Sequence, residues 1–260
     1  MALLSVNGIC KSFGGLAAVS HMSFQVEEGQ IVSIIGPNGA GKTTVFNLLT
    51  GFYSCDEGSV LFEGEEISNL PPARYVEKKL TRTFQNLKLF PTMTVLENVL
   101  IGYQSCIHYS RLDAILNTGK KRREERAATE QAMEILRSID MEKYAPERCC
   151  NLPYGVQKQL EIARAMVSGP RLLLLDEPAA GLNPQETEQL AAFIRGLPEK
   201  GYSVLLIEHD MSLVMTISDY IYVMDYGKLI ARGVPGTVQK NERVIEAYIG
   251  KGGARHAAGS

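Results

Sequence analysis

The sequence has few cysteines and no long apolar run, and each shortage excludes a class of protein. Its five cysteines are scattered irregularly along 260 residues. An odd, irregular set fits neither a disulfide framework nor the spacing of a zinc knuckle, so we expect a reducing compartment. Because no apolar run approaches the ~18–20 residues that cross a bilayer, we expect no transmembrane helix, and we find no secretion signal.

The sequence also lacks an excess of charge of either sign. Lys+Arg number 27 and Asp+Glu 29, which gives a net charge of -2 and argues against a generally basic nucleic-acid binder. A hydrophobic content of 45% excludes disorder, and the length allows one large domain or two modest ones. We find no internal repeat.

Short β-rich runs alternate with helical patterns, which predicts an α/β fold. The run 172–175 is leucine at every position, as expected for a parallel strand covered on both faces. Early runs alternate between apolar and polar residues, as in a half-covered antiparallel sheet. Strands are predicted at 3–6, 22–26, 31–35, 60–62, 172–175, 204–207 and 221–224.

The stretch 87–167 has few strand signals and predicts a helical insertion. The mixed-charge run 120–126 precedes apolar residues at helical spacing from Ala128 to Ile139. The basic residues could contact lipid or nucleic acid, but interleaved glutamates favour a solvated helix face. The α/β core would then be 1–86 and 168–260, of which 251–260 is predicted to be a flexible tail.

Residues 36–43 match the phosphate-loop pattern G-x-x-x-x-G-K-[ST] between a predicted strand and a predicted helix. Glycines let backbone N–H groups surround a phosphate, Lys42 reaches the β- and γ-oxygens, and the Thr43 hydroxyl can ligate Mg²⁺. The strand-loop-helix context disfavours the alternative of a glycine-rich hairpin. The predicted nucleotide contacts are Gly36, Asn38, Gly39, Ala40, Gly41, Lys42, Thr43 and Thr44.

Two acidic residues, Asp176 and Glu177, follow the all-leucine strand. Adjacent buried carboxylates are costly unless a cation or a bound water uses them. We therefore predict that Asp176 holds Mg²⁺ and that Glu177 deprotonates the attacking water. The alternative is a helix N-cap after a strand.

The phosphate loop is followed in order by the stretches 83–86, 152–165, 176–178, 180–184 and 207–210. This ordered series resembles that of ATP-binding-cassette (ABC) ATPase subunits, over about residues 3–249. The resemblance implies a P-loop ABC ATPase core, with a mixed sheet whose parallel part is RecA-like, an antiparallel β subdomain and an inserted α-helical subdomain. Within the family, the stretches 5–8 with 13–16, 44–53, 176–184 and 207–215 are similar to those of LivG-like ATPases of bacterial branched-chain amino-acid importers. Related importers of urea, other amides and aromatic acids share these stretches.

The resemblance also implies roles for four further residues. Gln85 would sense Mg²⁺ and the γ-phosphate, and His209 would bond that phosphate. Phe13 would stack on adenine, with Val19 packed nearby. For each of these an ordinary structural role is the alternative.

The signature loop departs from the family pattern L-S-G-G-Q, because this chain reads Leu152-Pro153-Tyr154-Gly155-Val156. Proline offers neither hydroxyl nor N–H, so the loop should cap a γ-phosphate poorly, although a helix over 154–166 can still start there. Asn183 stands where the family mostly has an aspartate that communicates across the dimer. These departures suggest an asymmetric pair with a second homologous ATPase, and a homodimer is the alternative.

The resemblance implies a peripheral subunit on the cytoplasmic face of the inner membrane that hydrolyses ATP with Mg²⁺ and drives two permease subunits. An extracytoplasmic binding protein would select the solute, and no nucleic acid is expected as a partner. The apolar segment 89–95 is predicted to receive a permease helix, with internal packing as its alternative. Two other functions stay open: a soluble non-transport ATPase acting on nucleic acid or ribosomes, and a regulatory cassette with weak catalysis.

Overall fold

The computed structural model describes residues 2–83, 88–106, 109–110, 113 and 116–249. Within these residues two β-sheets and a set of helices form the fold. The strands are β1 (Ala2–Phe13), β2 (Leu16–Glu27), β3 (Ile31–Ile35), β4 (Glu57–Phe62), β5 (Glu65–Glu66), β6 (Leu80–Arg82), β7 (Leu172–Asp176), β8 (Ser203–Ile207), β9 (Tyr220–Asp225) and β10 (Lys228–Gly233). The α-helices are α1 (Lys42–Leu49), α2 (Pro72–Glu77), α3 (Val95–Gly102), α4 (Gly119–Ser138), α5 (Tyr154–Met166), α6 (Pro184–Arg195), α7 (Met211–Ile217), α8 (Pro235–Gln239) and α9 (Glu242–Ile249).

The larger sheet has the strand order β10-β9-β3-β8-β7-β6. Its strands run parallel except for β10, which pairs antiparallel with β9 at the edge. Every residue of β3, β7 and β8 is buried. Leu172 and Leu174 pack into one hydrophobic cluster, while Leu173 and Leu175 pack into another on the opposite face. Both faces of this sheet are therefore covered, which confirms the prediction from the all-leucine run.

The smaller sheet is antiparallel, with the order β2-β1-β4-β5. Along β2 the side chains of Met22, Phe24 and Val26 are buried, and those between them are exposed. One face of this sheet thus packs on the core, as the alternating pattern predicts.

The second hydrophobic cluster joins the larger sheet to the helices between residues 88 and 167. Val99 of α3, Leu136 of α4 and Leu160 of α5 are fully buried in it. Helix α5 has the predicted bounds 154–166. The charged run lies on α4, where ion pairs such as Lys121 with Glu125 lie four residues apart, as a solvated face requires.

Each of the seven predicted strands lies within an observed strand, but β5, β6 and β10 were missed. β6 has three residues, one of them Arg82, and β10 carries Lys228 and Arg232 at the edge of its sheet. Short or edge strands bury too little apolar surface to leave a clear pattern. Among the described residues, no helix has the length and apolarity that crossing a bilayer requires.

Candidate nucleotide-binding site

A cavity of about 670 Å³ opens where the loop after β3 meets the end of β7. Such crevices at the carboxyl ends of parallel strands are the usual ligand sites of open α/β sheets. Its walls come from the start of β2, the phosphate loop with the first turn of α1, the residue after β7, and the turn between β9 and β10. The lining residues are Leu16, Ala17, Ala18, Asn38, Gly39, Ala40, Gly41, Lys42, Thr43, Thr44, Glu177, Tyr226 and Gly227.

The backbone of the phosphate loop needs glycine at Gly41, which has a φ of 99°. A Cβ there would lie 2.4 Å from the carbonyl oxygen of Ala18. The turn between β9 and β10 also holds the loop, because the Gly227 N–H donates to the Ala40 carbonyl at 3.0 Å. Helix α1 starts at Lys42 without a side-chain cap. Its first N–H groups and the positive end of its dipole are therefore available to an anion in the cavity.

The ammonium of Lys42 lies over the loop, and this side chain is buried. Its Nζ donates to the carbonyl oxygens of Gly36 at 2.7 Å and Pro37 at 3.0 Å. Burial lowers the pKa of Lys42, and the charges of Glu177 and Asp176 oppose that change. Both predicted acidic residues therefore lie close enough to Lys42 for their charges to act on its ammonium.

The two acidic residues have different surroundings. Asp176 ends β7, is 3% exposed, and its Oδ2 accepts a hydrogen bond from Arg82 Nη2 at 2.6 Å. Glu177 lines the cavity, with a left-handed φ of 46° that is uncommon for a residue with a side chain. Its N–H donates to the Ile207 carbonyl at 2.9 Å, which fixes this turn against β8.

Arg82 is a site residue that the sequence reasoning missed. It lies 94 positions before Asp176 and belongs to no motif. Its guanidinium also donates to Asn47 Oδ1 at 2.7 Å and to Thr50 Oγ1 at 3.3 Å, and lies 5.4 Å from the centre of the Phe46 ring. Arg82 therefore ties the helix after the phosphate loop to the end of β7. The signal that could have found it is a cation directly before the stretch 83–86.

Glu208 is a second missed residue, although it lies in a stretch that carries the resemblance. It is fully buried and accepts hydrogen bonds from the N–H groups of Ala179 at 2.8 Å and His209 at 3.0 Å. Burial raises the pKa of Glu208, and these N–H donors oppose the change. The carboxylate joins the loop after β7 to the loop after β8. His209 Nδ1 lies 3.7 Å from Glu177 Oε2 and 3.7 Å from Glu208 Oε2.

The predicted adenine contacts do not line the cavity. The Phe13 ring packs edge-on against Tyr53, with 5.1 Å between centroids, and Val19 is buried in the core. The residues that do line this side are Leu16, Ala17 and Ala18, directly after the β1–β2 turn. Gln85 and the tail 251–260 lie outside the described residues.

The signature segment packs on its own chain. The Tyr154 ring lies 3.3 Å from the position that a Cβ on Gly181 would take, and Lys158 Nζ lies 5.7 Å from the ring centre. Glu186 Oε1 accepts the Gly155 N–H at 3.4 Å, and the Glu186 N–H donates to Asn183 Oδ1 at 2.9 Å. Asn183 is thus the N-cap of α6. In the sequence, Leu152 and Pro153 directly precede Tyr154, and Val156 directly follows Gly155.

Comparison with known proteins agrees with this geometry. The sequence profile of the family described as "ABC transporter" matches residues 19–180, and that of "Branched-chain amino acid ATP-binding cassette transporter" matches residues 228–254. The high-affinity branched-chain amino acid transport ATP-binding protein BraF of Pseudomonas aeruginosa is 48% identical over 250 residues, covering 96% of this chain and 98% of BraF. LivG of Escherichia coli K12 is 45% identical with the same coverage.

Solved structures show the same fold. A nucleotide-free ATP-binding cassette from an ABC transporter superposes with a TM-score of 0.84 at 35% identity, covering 96% of this chain and 100% of the other. The ADP conformation of MJ1267, also a cassette of an ABC transporter, gives 0.83 at 33% identity with the same coverage. The predicted fold class is confirmed. This chain belongs to the ABC transporter family of ATPases, in the group of LivG and BraF.

Proposed function

We propose that this chain is the ATP-hydrolysing subunit of an importer for branched-chain amino acids and that it acts at the cytoplasmic face of the inner membrane. One observation carries the proposal: Lys42 and Glu177 line the same cavity as the phosphate loop, in a chain similar to BraF and LivG over nearly its full length. The names of those relatives support the substrate class. The similarity to transport proteins disfavours action on nucleic acid or ribosomes.

Binding of the nucleotide follows from the loop. The N–H groups of Gly39 and Gly41 and of the first turn of α1 bind phosphate oxygens. Lys42 then donates to the β- and γ-oxygens in place of the Gly36 and Pro37 carbonyl oxygens. The buried ammonium therefore keeps the hydrogen bonds that it needs. Leu16, Ala17 and Ala18 offer an apolar wall to the base, whereas Phe13 and Val19 lie outside the lining of this cavity.

Hydrolysis requires a base beside the terminal phosphate. Glu177 lines the cavity, and its carboxylate would accept the proton of the attacking water. His209 lies 3.7 Å from that carboxylate and orients the water and the γ-phosphate. Glu208 accepts hydrogen bonds from three backbone N–H groups and so holds the loop after β7 against the loop after β8.

The oxygen donors at this site suit Mg²⁺. Thr43 lines the cavity and Asp176 ends β7, so their hydroxyl and carboxylate would hold the ion, with Gln85 as a third predicted contact. The ion, when bound, neutralises charge on the phosphates. Arg82 donates a hydrogen bond to one Asp176 oxygen and so holds the carboxylate in its orientation.

We further propose that the working unit is an asymmetric pair. Segment 152–156 lacks the serine of the family pattern, and Tyr154 and Gly155 are held by contacts within their own chain. A second, homologous ATPase would supply the better signature loop to this chain's phosphate site. The segment 87–167 would move as a helical subdomain against the core formed by 1–86 and 168–260, and it would present residues 89–95 to a permease subunit.

Reconstitution tests the proposed function. The chain, co-expressed with its permease and partner ATPase subunits, is placed in proteoliposomes with the solute-binding protein, and uptake of radiolabelled leucine is measured. We expect ATP-dependent uptake that Glu177→Gln abolishes. Arg171→Met should transport normally, because Arg171 is partly exposed and precedes β7, at the end of the strand opposite Glu177. An ATP-hydrolysing complex that ignores branched-chain amino acids would refute the substrate class. Salt-sensitive co-purification of RNA or DNA would favour the non-transport function.

A regulatory cassette is the second candidate, because Pro153 and Tyr154 weaken the signature. The isolated chain is expected to hydrolyse ATP slowly and to accelerate when the partner ATPase is added. Fast turnover with second-order dependence on this chain alone would contradict the asymmetric pair. If Glu177→Gln leaves the rate of the assembled complex unchanged, this chain is the regulatory member.

A further inference from the structure

Three neighbouring strands of the antiparallel sheet bring together a thiol, an imidazole and a carboxylate. Cys10 lies on β1 opposite Glu57 of β4, and His21 follows on β2 at the other side of β1. One ligand atom from each of these residues lies within 4.8 Å of the other two. Within the part of the chain that the structure describes, this is the one such group of three or more His, Cys, Asp and Glu side chains.

A β-bulge creates this convergence. Between the pairs Ile9 with Met22 and Lys11 with Val19, β1 contributes Cys10 alone while β2 contributes two residues. The extra residue interrupts the ladder, and His21 takes a left-handed φ of 48°. Its N–H then donates to Cys10 Sγ at 3.2 Å, and its ring Nδ1 lies 3.5 Å from the same sulfur.

We propose that Cys10, His21 and Glu57 form a binding site for a borderline divalent metal ion, with Zn²⁺ as the best match. Tetrahedral zinc has bonds of ~2.3 Å to sulfur and ~2.0–2.1 Å to nitrogen, which separate the two ligand atoms by about 3.5 Å. The observed separation of Sγ and Nδ1 is 3.5 Å. One sulfur, one nitrogen and one oxygen are the donors that zinc accepts.

Access and charge also suit the ion. His21 and Glu57 are exposed and Cys10 is half-buried, so the ion can enter from solvent and water can complete its coordination. Glu57 reaches the ion by a side-chain rotation that its exposure allows. Lys11, next to Cys10, is paired with Asp56 at 2.6 Å, which directs its ammonium to a different carboxylate.

Proton balance defines the binding reaction. The Cys10 thiol loses its proton to solvent as the sulfur–zinc bond forms, and neutral His21 donates the Nδ1 lone pair. The backbone N–H of His21 donates to the Cys10 sulfur at 3.2 Å, which holds the sulfur beside the imidazole ring. Because the ion replaces the thiol proton, binding releases about one proton and strengthens as the pH rises.

Metal titration of the full chain without nucleotide tests the site. After treatment with a chelator and dialysis, we expect ZnCl₂ to bind with one-to-one stoichiometry in calorimetry. We expect CoCl₂ to give a sulfur-to-cobalt charge-transfer band together with the visible bands of tetrahedral cobalt. Cys10→Ser and His21→Ala should each weaken zinc binding at least ~100-fold, more than loss of an outer-shell partner does. The exposed Glu57→Gln should weaken it while leaving the circular dichroism spectrum unchanged.

Cys150→Ser is the matched control, because Cys150 is an exposed thiol that contacts Asn151 and lies outside the cluster. It should bind zinc like the unaltered chain. Absence of stoichiometric binding would overturn the proposal. So would a cobalt complex without the charge-transfer band, or equal zinc affinity in Cys10→Ser and Cys150→Ser, since the metal would then lie elsewhere.

Discussion

Replacing Arg82 by methionine removes the guanidinium to which the buried carboxylate of Asp176 is bonded. The side chains are 7% and 4% exposed, and their closest atoms are 2.6 Å apart. Methionine is unbranched and polarisable, so it keeps much of the packing of Arg82 on Phe46. It has no donor for Asp176 or Asn47. The change therefore isolates the polar contribution of Arg82.

The expected loss is large because only one partner of a buried pair is removed. Leaving an uncompensated buried charge costs about 3–5 kcal/mol, against a total stability of about 5–15 kcal/mol for most proteins. If Asp176→Asn is added, the buried charge disappears as well. The double variant should then recover about 0.5–3 kcal/mol, which is the usual size of coupling between contacting residues.

Urea unfolding at neutral pH without nucleotide, followed by circular dichroism, measures these differences. Arg171→Met is the control, since Arg171 pairs with Glu28 and Glu63 at the surface. Exposed pairs contribute about 0–1 kcal/mol. A loss below about 1 kcal/mol for Arg82→Met, or one equal to that of the control, would refute the reasoning. If the loss came from packing alone, adding Asp176→Asn to Arg82→Met would restore no stability.

Three further predictions concern the chemistry. Glu177→Gln should bind ATP normally but hydrolyse it ~10²–10⁴-fold more slowly, because the water loses its base; phosphate release measures this, and normal turnover would remove Glu177 from that role. Lys42→Ala should weaken ATP binding, seen as loss of the ATP-induced rise in Tm; an undiminished rise would contradict the assignment. Pro153→Ser combined with Tyr154→Gly should raise the ATPase rate of the isolated chain if poor capping limits it, and an unchanged rate would show that another step does.

Much of the fold could be predicted from the sequence because its signals are local. A strand buried on both faces must be apolar at every position, as the run 172–175 is, and β7 occupies that run with one residue more. Helix α5 likewise begins directly after Pro153. The edge strand β10 was missed because solvent on its outer side allows charged residues that hide the pattern.

The candidate site likewise contains residues that the sequence predicts and residues that it does not. The phosphate loop was predictable because eight consecutive residues carry its chemistry, and Glu177 directly follows a recognisable strand. The partner of Asp176 was not predictable, because Arg82 reaches it through the pairing of β6 with β7. The wall formed by Leu16, Ala17 and Ala18 depends on how the two sheets pack.

The sequence by itself determined which residues are apolar on both faces of a strand, where the phosphate loop lies, and that Glu177 follows a buried strand. Tertiary structure alone decided which side chains from distant positions meet. The cysteines have no metal-site spacing along the chain, yet strand register and one β-bulge bring Cys10 to His21 and Glu57. The physical reason is that strand pairing sets distances between residues far apart in sequence, and a local pattern contains no record of which strands become neighbours.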